Sequence, residues 1–245
     1  MSGTGPARRI EVDPERIVRW VNGVVERHGD CQRLSSELTQ TSVPTSVVLS
    51  AADGATAVLE PFVAGARLEP GVPSDAGERG EPIEVGDVGE FDVLRGWAVP
   101  PTCLALVLVR RGGYAVGLGQ GPELVGHKVG TRYVQSRTAA GGWSQHRFAR
   151  RRDNQADALV CSVIEHTCRV VLASPSDALV VGGDKSLIRD VLADPRLATL
   201  ARLPRRELFD LPDPKLVVLK QALTRARAVR ITLTDPNPPP PNPAI

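Results

Sequence analysis

The fold is indicated first by the stretch Cys103-Leu104-Ala105-Leu106-Val107-Leu108-Val109. It is short and wholly apolar, which is typical of a central strand in a sheet. Arg111-Gly112-Gly113 then predicts a turn, and Tyr114–Gly119 predicts the returning strand. Further strands are expected at Glu123–Val129 and Arg132–Gln135. The sequence therefore predicts an antiparallel meander near the centre of the chain.

A long amphipathic helix is predicted after this meander. The residues expected to face the core recur at spacings of three and four: Phe148, Ala156, Leu159, Val160, Val163, Ile164, Thr167 and Val171. A strand at Ala178–Val181, helices at Leu187–Leu192 and Pro214–Leu223, and a last strand at Ala228–Thr234 are expected to follow. This order predicts an α/β or α+β layered domain over 96–234, with a mixed sheet flanked by helices.

The N-terminal part of the chain predicts a helix and a hairpin. Asp13-Pro14-Glu15 favours a helix start, because Asp caps helices and Pro suits the first helical position. Val47–Ser50 and Thr56–Glu60 flank the turn residues Ala52-Asp53-Gly54, which predicts a hairpin. The predicted division is a flexible lead-in (1–12), the helix, hairpin and acidic loops (13–95), the layered domain (96–234) and a disordered proline-rich tail (235–245).

Composition excludes several classes of protein. The chain has 245 residues and contains no apolar run long enough to cross a membrane, no signal sequence and no C-x-x-C pair. We therefore expect a cytoplasmic protein with no membrane partner. Clustered metal ligands and a nucleophile elbow around Ser144 are also missing, so we expect neither a metal nor a cofactor. Gly182–Ser186 resembles a phosphate loop, but Asp184 stands where a glycine is required, which favours a plain strand-to-helix turn.

The charge distribution favours a polyanionic partner. The net charge is only +2, yet seven Lys or Arg and no acidic residue lie between Leu124 and Arg152. Within this segment, Gly141 and Gly142 predict a flexible loop over 138–145, because glycine is the residue that loses most freedom on ordering. The loop carries Gln145, whose neutral amide is a poor base but both donates to and accepts from water. The alternative is a solvated basic face balanced by the acidic segment upstream.

The sequence around this loop resembles the Vms-type release factors, particularly their short actinobacterial branch. The similarity is strongest over 128–156 and extends over 96–234. Classical release factors carry Gly-Gly-Gln, whereas the Vms type carries Gly-x-x-Gln, and here Gly142 and Gln145 match the second form. The resemblance implies an RNase-H-like catalytic domain with peptidyl-tRNA hydrolase activity on stalled large ribosomal subunits. The expected partners are the large subunit, its rRNA and peptidyl-tRNA, with no DNA.

The resemblance also implies roles for individual residues. Gln145 would orient the attacking water, and Gly141 and Gly142 would let the loop enter the peptidyl-transferase cavity. Trp143 would stack on an unpaired base, or else tether the loop. The residues expected to contact RNA are Arg147, Arg150, Arg151, Arg152, Trp143, Arg137 and Arg132. Two alternatives stay open: a tRNA endonuclease acting at the acceptor 3′ end, and a non-catalytic module that binds the ribosome or RNA.

Overall fold

The computed structural model describes residues 7–29, 31–36, 46–62, 83–84, 94–131 and 144–235, with the backbone alone for 32–36, 83–84 and 144–154. The strands are β1 (Arg8–Val12), β2 (Cys31–Ser36), β3 (Ser46–Ala51), β4 (Thr56–Glu60), β5 (Ile83–Glu84), β6 (Cys103–Arg110), β7 (Gly113–Gln120), β8 (Glu123–Thr131), β9 (Ala178–Gly183), β10 (Arg205–Leu208) and β11 (Val229–Thr234). The helices are α1 (Ile17–His28), α2 (94–98), α3 (Ser144–Val170), α4 (Lys185–Leu192), α5 (Ala198–Ala201) and α6 (Leu216–Arg227).

The chain divides into two compact units, Pro101–Ala226 and the combination of Met1–Pro100 with Arg227–Ile245. The second of these contains an antiparallel sheet in the order β1-β11-β4-β3-β2-β5. Helix α1 buries Ile17 and Val21 against sheet residues that include Leu59 and Ile231. The predicted helix and hairpin are therefore confirmed, as α1 and as β3 paired with β4.

Two segments of this unit differ from the prediction. Residues Arg8–Val12, expected within the flexible lead-in, form β1, because Ile10 and Val12 pack against the core and the backbone pairs with β11. The strand predicted at Ala228–Thr234 exists as β11, but it pairs with β1 and β4 rather than with the sheet of the layered domain. Its apolar residues Val229 and Ile231 are fully buried in the core around α1. The predicted tail beyond Asp235 lies outside the described residues.

The unit Pro101–Ala226 is built on a mixed sheet in the order β10-β9-β6-β7-β8. Strands β6, β7 and β8 form the predicted antiparallel meander, while β9 and β10 run parallel to β6. This order and these directions are those of an RNase-H-like sheet, as the resemblance implies. The strand expected at Arg132–Gln135 lies outside the described residues, and β8 ends at Thr131.

Helices cover both faces of this sheet, which confirms the predicted layers. On one face, α3, α4 and α5 pack with residues such as Val107 and Val181 in a common core. On the other face, α6 lies close to β7, where a Cβ added at Gly119 would come within 2.5 Å of Leu223. Strand β6 is buried on both sides, which explains why its sequence is apolar throughout rather than alternating.

Candidate functional site

The candidate site is positioned by α3, which begins at Ser144 and runs for 27 residues. At 1.5 Å per residue the helix is about 40 Å long. Gln145 is its second residue, so the prediction that Gln145 belongs to a loop over 138–145 is wrong. Serine is favoured at helix starts and no helix breaker follows it before Val170, so the helix begins earlier than the glycine pair suggests. The remaining predicted site residues lie outside the described part of the chain: Gly141, Gly142, Trp143, Arg137 and Arg132.

The beginning of α3 is an electropositive environment. The first four backbone N–H groups of a helix lack intrahelical acceptors and carry the positive end of the helix dipole. The first turn of α3 contains no acidic residue. Gln145 and Arg147 both lie there, and the arginines at 150, 151 and 152 follow within two turns. Chemically, such an end attracts a phosphate group or a developing oxyanion.

The helical register separates Gln145 from most of the arginines. Eighteen residues make five full turns at 3.6 residues per turn, so residues eighteen apart share one side of a helix. Gln145 thus shares the side of Val163, which is fully buried, whereas Arg151 shares the side of Arg169, which is exposed. Arg147 lies one turn before Arg151 on the same stripe. On this register, Gln145 lies on a different stripe of α3 from Arg147 and Arg151.

The C-terminal part of α3 holds the helix in the core. Leu159, Val163, Ile164 and Thr167 are buried as predicted, and Thr167 donates its hydroxyl hydrogen to the carbonyl oxygen of Val163 at 2.7 Å. Among the described side chains, packing against the core begins at Ala156. Residues 144–155, roughly 18 Å of helix, precede that point. The core thus fixes the direction in which the Gln145 end extends.

An aromatic pair connects α3 to the strand that leads into the Gly-x-x-Gln segment. The rings of Tyr114 and His166 stack with their centroids 5.6 Å apart. The Tyr114 ring also lies over Gly130, where an added Cβ would be only 2.4 Å from it. Burial lowers the pKa of His166, and the positive charges of Arg169 and Lys128 lower it further. The stacked pair links α3 to β7, and the Tyr114 ring covers the end of β8 at Gly130.

The turn that resembles a phosphate loop is occupied by its own carboxylate. Asp184 accepts hydrogen bonds from the backbone N–H of Ser186 at 3.0 Å and from its hydroxyl at 2.7 Å, which caps α4. Burial alone would raise the pKa of Asp184, but these bonds, the N–H of Leu187 and the nearby Arg111 lower it overall. A negative charge already holds these donors, so the preference for a plain strand-to-helix turn is supported over a phosphate site.

Neither a metal site nor a membrane-spanning helix is found among the described residues. No three His, Cys, Asp or Glu side chains there are grouped so as to hold a metal ion. No described helix is both long enough and apolar enough to span a membrane.

Comparison with known proteins identifies the family. The family model for the Actinobacteria/chloroflexi VLRF1 release factor matches residues 102–232, more than half of the chain. The chain belongs to this release-factor family. The VLRF1 match contains the whole of α3, so Gln145 and the arginine run lie inside it. Membership confirms the resemblance to Vms-type release factors, gives a role in translation, and implies interaction with the ribosome and with tRNA.

Several solved structures are also similar to this VLRF1 family member. A structure titled as the Vms1 mitochondrial localization core aligns with a TM-score of 0.42 and 11% identity, covering 76% of this chain and 75% of that chain. The archaeal translation termination factor aRF1 aligns with a TM-score of 0.36 and 13% identity, covering 92% of this chain and 65% of that one. No curated protein matches the sequence.

Proposed function

We propose that this VLRF1 family protein is a peptidyl-tRNA hydrolase that frees nascent chains from stalled large ribosomal subunits. The observation that carries the proposal is the position of Gln145 in the acid-free first turn of α3, inside the region that matches a release-factor family. A neutral water-positioning group in the first turn of a helix, where the N–H groups lack intrahelical acceptors, suits the hydrolysis of an activated ester. Such a site needs neither a metal nor an ionised base.

In the proposed reaction, the Gln145 amide accepts a hydrogen bond from the attacking water and donates one to the ester group. The water oxygen bonds to the ester carbonyl carbon, and the bond from that carbon to the ribose 3′-oxygen breaks. A proton from the water passes to the 3′-oxygen, with the neighbouring 2′-hydroxyl as the relay. Gln145 acts by position, because an amide does not take up a proton near neutral pH.

The basic residues around Gln145 would hold RNA. Arg147 and Arg151 lie one turn apart on one stripe of α3, and their guanidinium groups suit phosphates of rRNA or tRNA. Arg150 and Arg152 extend the same charge to the neighbouring sides of the helix. We include the residues outside the described part of the chain on the family resemblance: Gly141 and Gly142 to give the loop its path, Trp143 to stack on a base, and Arg132 and Arg137 to approach the backbone.

The test is release of labelled nascent chain from purified large subunits that carry peptidyl-tRNA. Gln145→Ala should lower the release rate about 100-fold or more, the loss typical when one preorganised polar group is removed. Subunit binding should stay unchanged. Gln221→Ala is the matched control, because Gln221 is an exposed glutamine on another helix, α6. Wild-type release by Gln145→Ala would refute the mechanism.

The products of the reaction distinguish the proposed hydrolase from the two alternative functions. Mass analysis that finds an intact terminal adenosine supports ester hydrolysis. A tRNA shortened at its 3′ end would instead establish the endonuclease. Tight binding to subunits without any turnover by the wild-type protein would establish a non-catalytic module.

A further inference from the structure

The unit that contains α1 carries a groove of about 450 Å³ whose role the release activity does not explain. The groove runs along α1 and beside the end of β1. Its lining combines one aromatic residue, a glycine, three arginines and three carboxylates: Trp20, Gly23, Arg16, Arg19, Arg27, Glu11, Asp13 and Glu26, together with Val12. None of these residues belongs to the region that matches the release-factor family.

Gly23 is unexpected at its position, because it lies in the middle of α1. Glycine inside a helix costs about 1 kcal/mol relative to alanine. No packing contact requires it, since a Cβ added at Gly23 would meet no atom within 4 Å. The space that a side chain would fill belongs to the groove. The missing side chain thus keeps the groove open at a cost to the helix.

Trp20 lines the groove one helical turn from Gly23. It is partly buried and packs against the core that contains Ile17 and Val21. It therefore contributes both to the core and to the groove. An indole held from behind in this way is a preorganised stacking platform, the element with which proteins hold unpaired bases.

The three arginines leave their charges available to a ligand. Arg16, Arg19 and Arg27 are exposed, and within the described part of the chain their side chains make no hydrogen bond or ion pair. Trp20, Gly23 and Arg27 lie on one stripe of α1 at spacings of three and four, and Arg16 caps the N-terminus of the helix four residues before Trp20. A cation therefore stands at each end of the stacking platform, as a nucleotide strand with its phosphates requires.

The carboxylates of the groove favour a nucleotide over a simple anion. Carboxylates accept hydrogen bonds from exocyclic amino groups of bases, which a simple anion such as phosphate does not have. From these observations we propose that the α1 groove binds an unpaired nucleotide of single-stranded RNA, with the base stacked on Trp20 and the phosphates on Arg16 and Arg27. This site goes beyond the proposed hydrolysis and does not depend on Gln145.

The decisive variant is Gly23→Gln, because the proposal predicts opposite effects on folding and on binding. Glutamine is a good helix former, so the thermal midpoint should rise or stay constant. Its side chain fills the groove, so the affinity for a short oligocytidylate RNA should fall at least tenfold. Asn22→Gln is the matched control, since Asn22 is exposed on α1 and does not line the groove. It should leave both quantities unchanged.

Oligocytidylate binding is measured with the full chain in an Arg147→Gln, Arg150→Gln, Arg151→Gln, Arg152→Gln background, which removes the proposed arginine contacts of α3. Trp20→Ala should weaken binding about 5- to 150-fold, the equivalent of 1–3 kcal/mol for one stacked base. Arg16→Gln with Arg27→Gln should reduce the slope of log affinity against log salt by about 1.4.

Binding must also discriminate between ligands. A duplex RNA and an acidic peptide, poly-glutamate, should bind at least tenfold more weakly than the oligocytidylate, because neither presents an unpaired base. Equal binding of poly-glutamate, or unchanged affinity in folded Gly23→Gln, would overturn the proposal. Gln145→Ala should keep full affinity in this assay, so a failure of the hydrolysis proposal leaves this result intact.

Discussion

Replacing Gly130 by alanine should destabilise the protein, although alanine usually stiffens an unfolded chain and so stabilises the fold. Gly130 lies near the end of β8, beneath the Tyr114 ring. The new Cβ would meet the nearest ring carbon at 2.4 Å, whereas carbon atoms in contact are normally 3.5–4.0 Å apart. Tyr114 is only 5% exposed and stacks on His166, so the ring has no free space into which to move.

The expected cost follows from this geometry. Overpacking of a filled site costs about 1–3 kcal/mol, and loss of an aromatic pair adds about 0.5–1.5 kcal/mol. The entropic benefit of alanine offsets about 0.4–1 kcal/mol. We therefore expect Gly130→Ala to lower the free energy of unfolding by about 0.5–4 kcal/mol. Urea unfolding followed by far-UV circular dichroism measures the change.

Gly126→Ala provides the control for this prediction. Gly126 lies four residues earlier on the same strand, and a Cβ added there would meet only Val170, at an ordinary 3.5 Å. This variant should be as stable as the wild type or slightly more stable. On a Tyr114→Leu background, the cost of Gly130→Ala should disappear, because the clashing ring is gone. Equal costs at positions 126 and 130 would show that the aromatic pair does not restrict β8.

Two further predictions concern polar groups that fix the ends of helices. Asp184→Ala should lower the free energy of unfolding by about 1 kcal/mol through loss of the α4 cap. Because the pKa of Asp184 lies below 3.8 in the folded state, its contribution is complete above that pH and is lost as the pH falls through the lowered pKa. The difference in unfolding midpoint between the variant and the wild type should therefore be smaller at pH 3 than at pH 7. Arg206 is 3% exposed and donates hydrogen bonds to the carbonyl oxygens of Arg225 and Ala226. Arg206→Met should therefore lower the free energy of unfolding by about 2–4 kcal/mol. Arg205 is exposed, so the control variant Arg205→Met should lower it by under about 1 kcal/mol. Similar losses for the two arginine variants would contradict a role of Arg206 in holding the end of α6.

Periodicity in the sequence predicts the helices and strands of this protein better than it predicts which strands pair with one another. The apolar run of β6 and the three- and four-residue spacing after Ala156 specify a strand and a helix on their own. Strand β11 was equally visible, but an alternating pattern does not state which sheet a strand joins. That choice depends on the long-range fit of Val229 and Ile231 into the core around α1. Domain limits are difficult to predict from the sequence for the same reason.

The candidate site is also only partly visible in the sequence. The charge pattern and the family resemblance lead to Gln145 as the proposed catalytic residue. They did not indicate that it lies within a helix, because a glycine pair two residues away from Ser144 favours a loop. The α1 groove has a weaker sequence signal, since it forms only when α1 lies beside β1. A glycine in the interior of an amphipathic helix was the one visible sign, and it becomes informative once the structure shows that no packing contact requires it.

The position of β11 has a consequence for how the protein is made. This strand lies between β1 and β4, yet it follows the whole of Pro101–Ala226 in the sequence. During synthesis, the five-stranded sheet is complete before β11 emerges, whereas the six-stranded sheet must wait for it. Until then, β1 and β4 each leave an open strand edge, the feature by which unfinished sheets pair with other chains. Interruption of translation just before Val229 would therefore produce a finished release-factor sheet attached to an incomplete and aggregation-prone one.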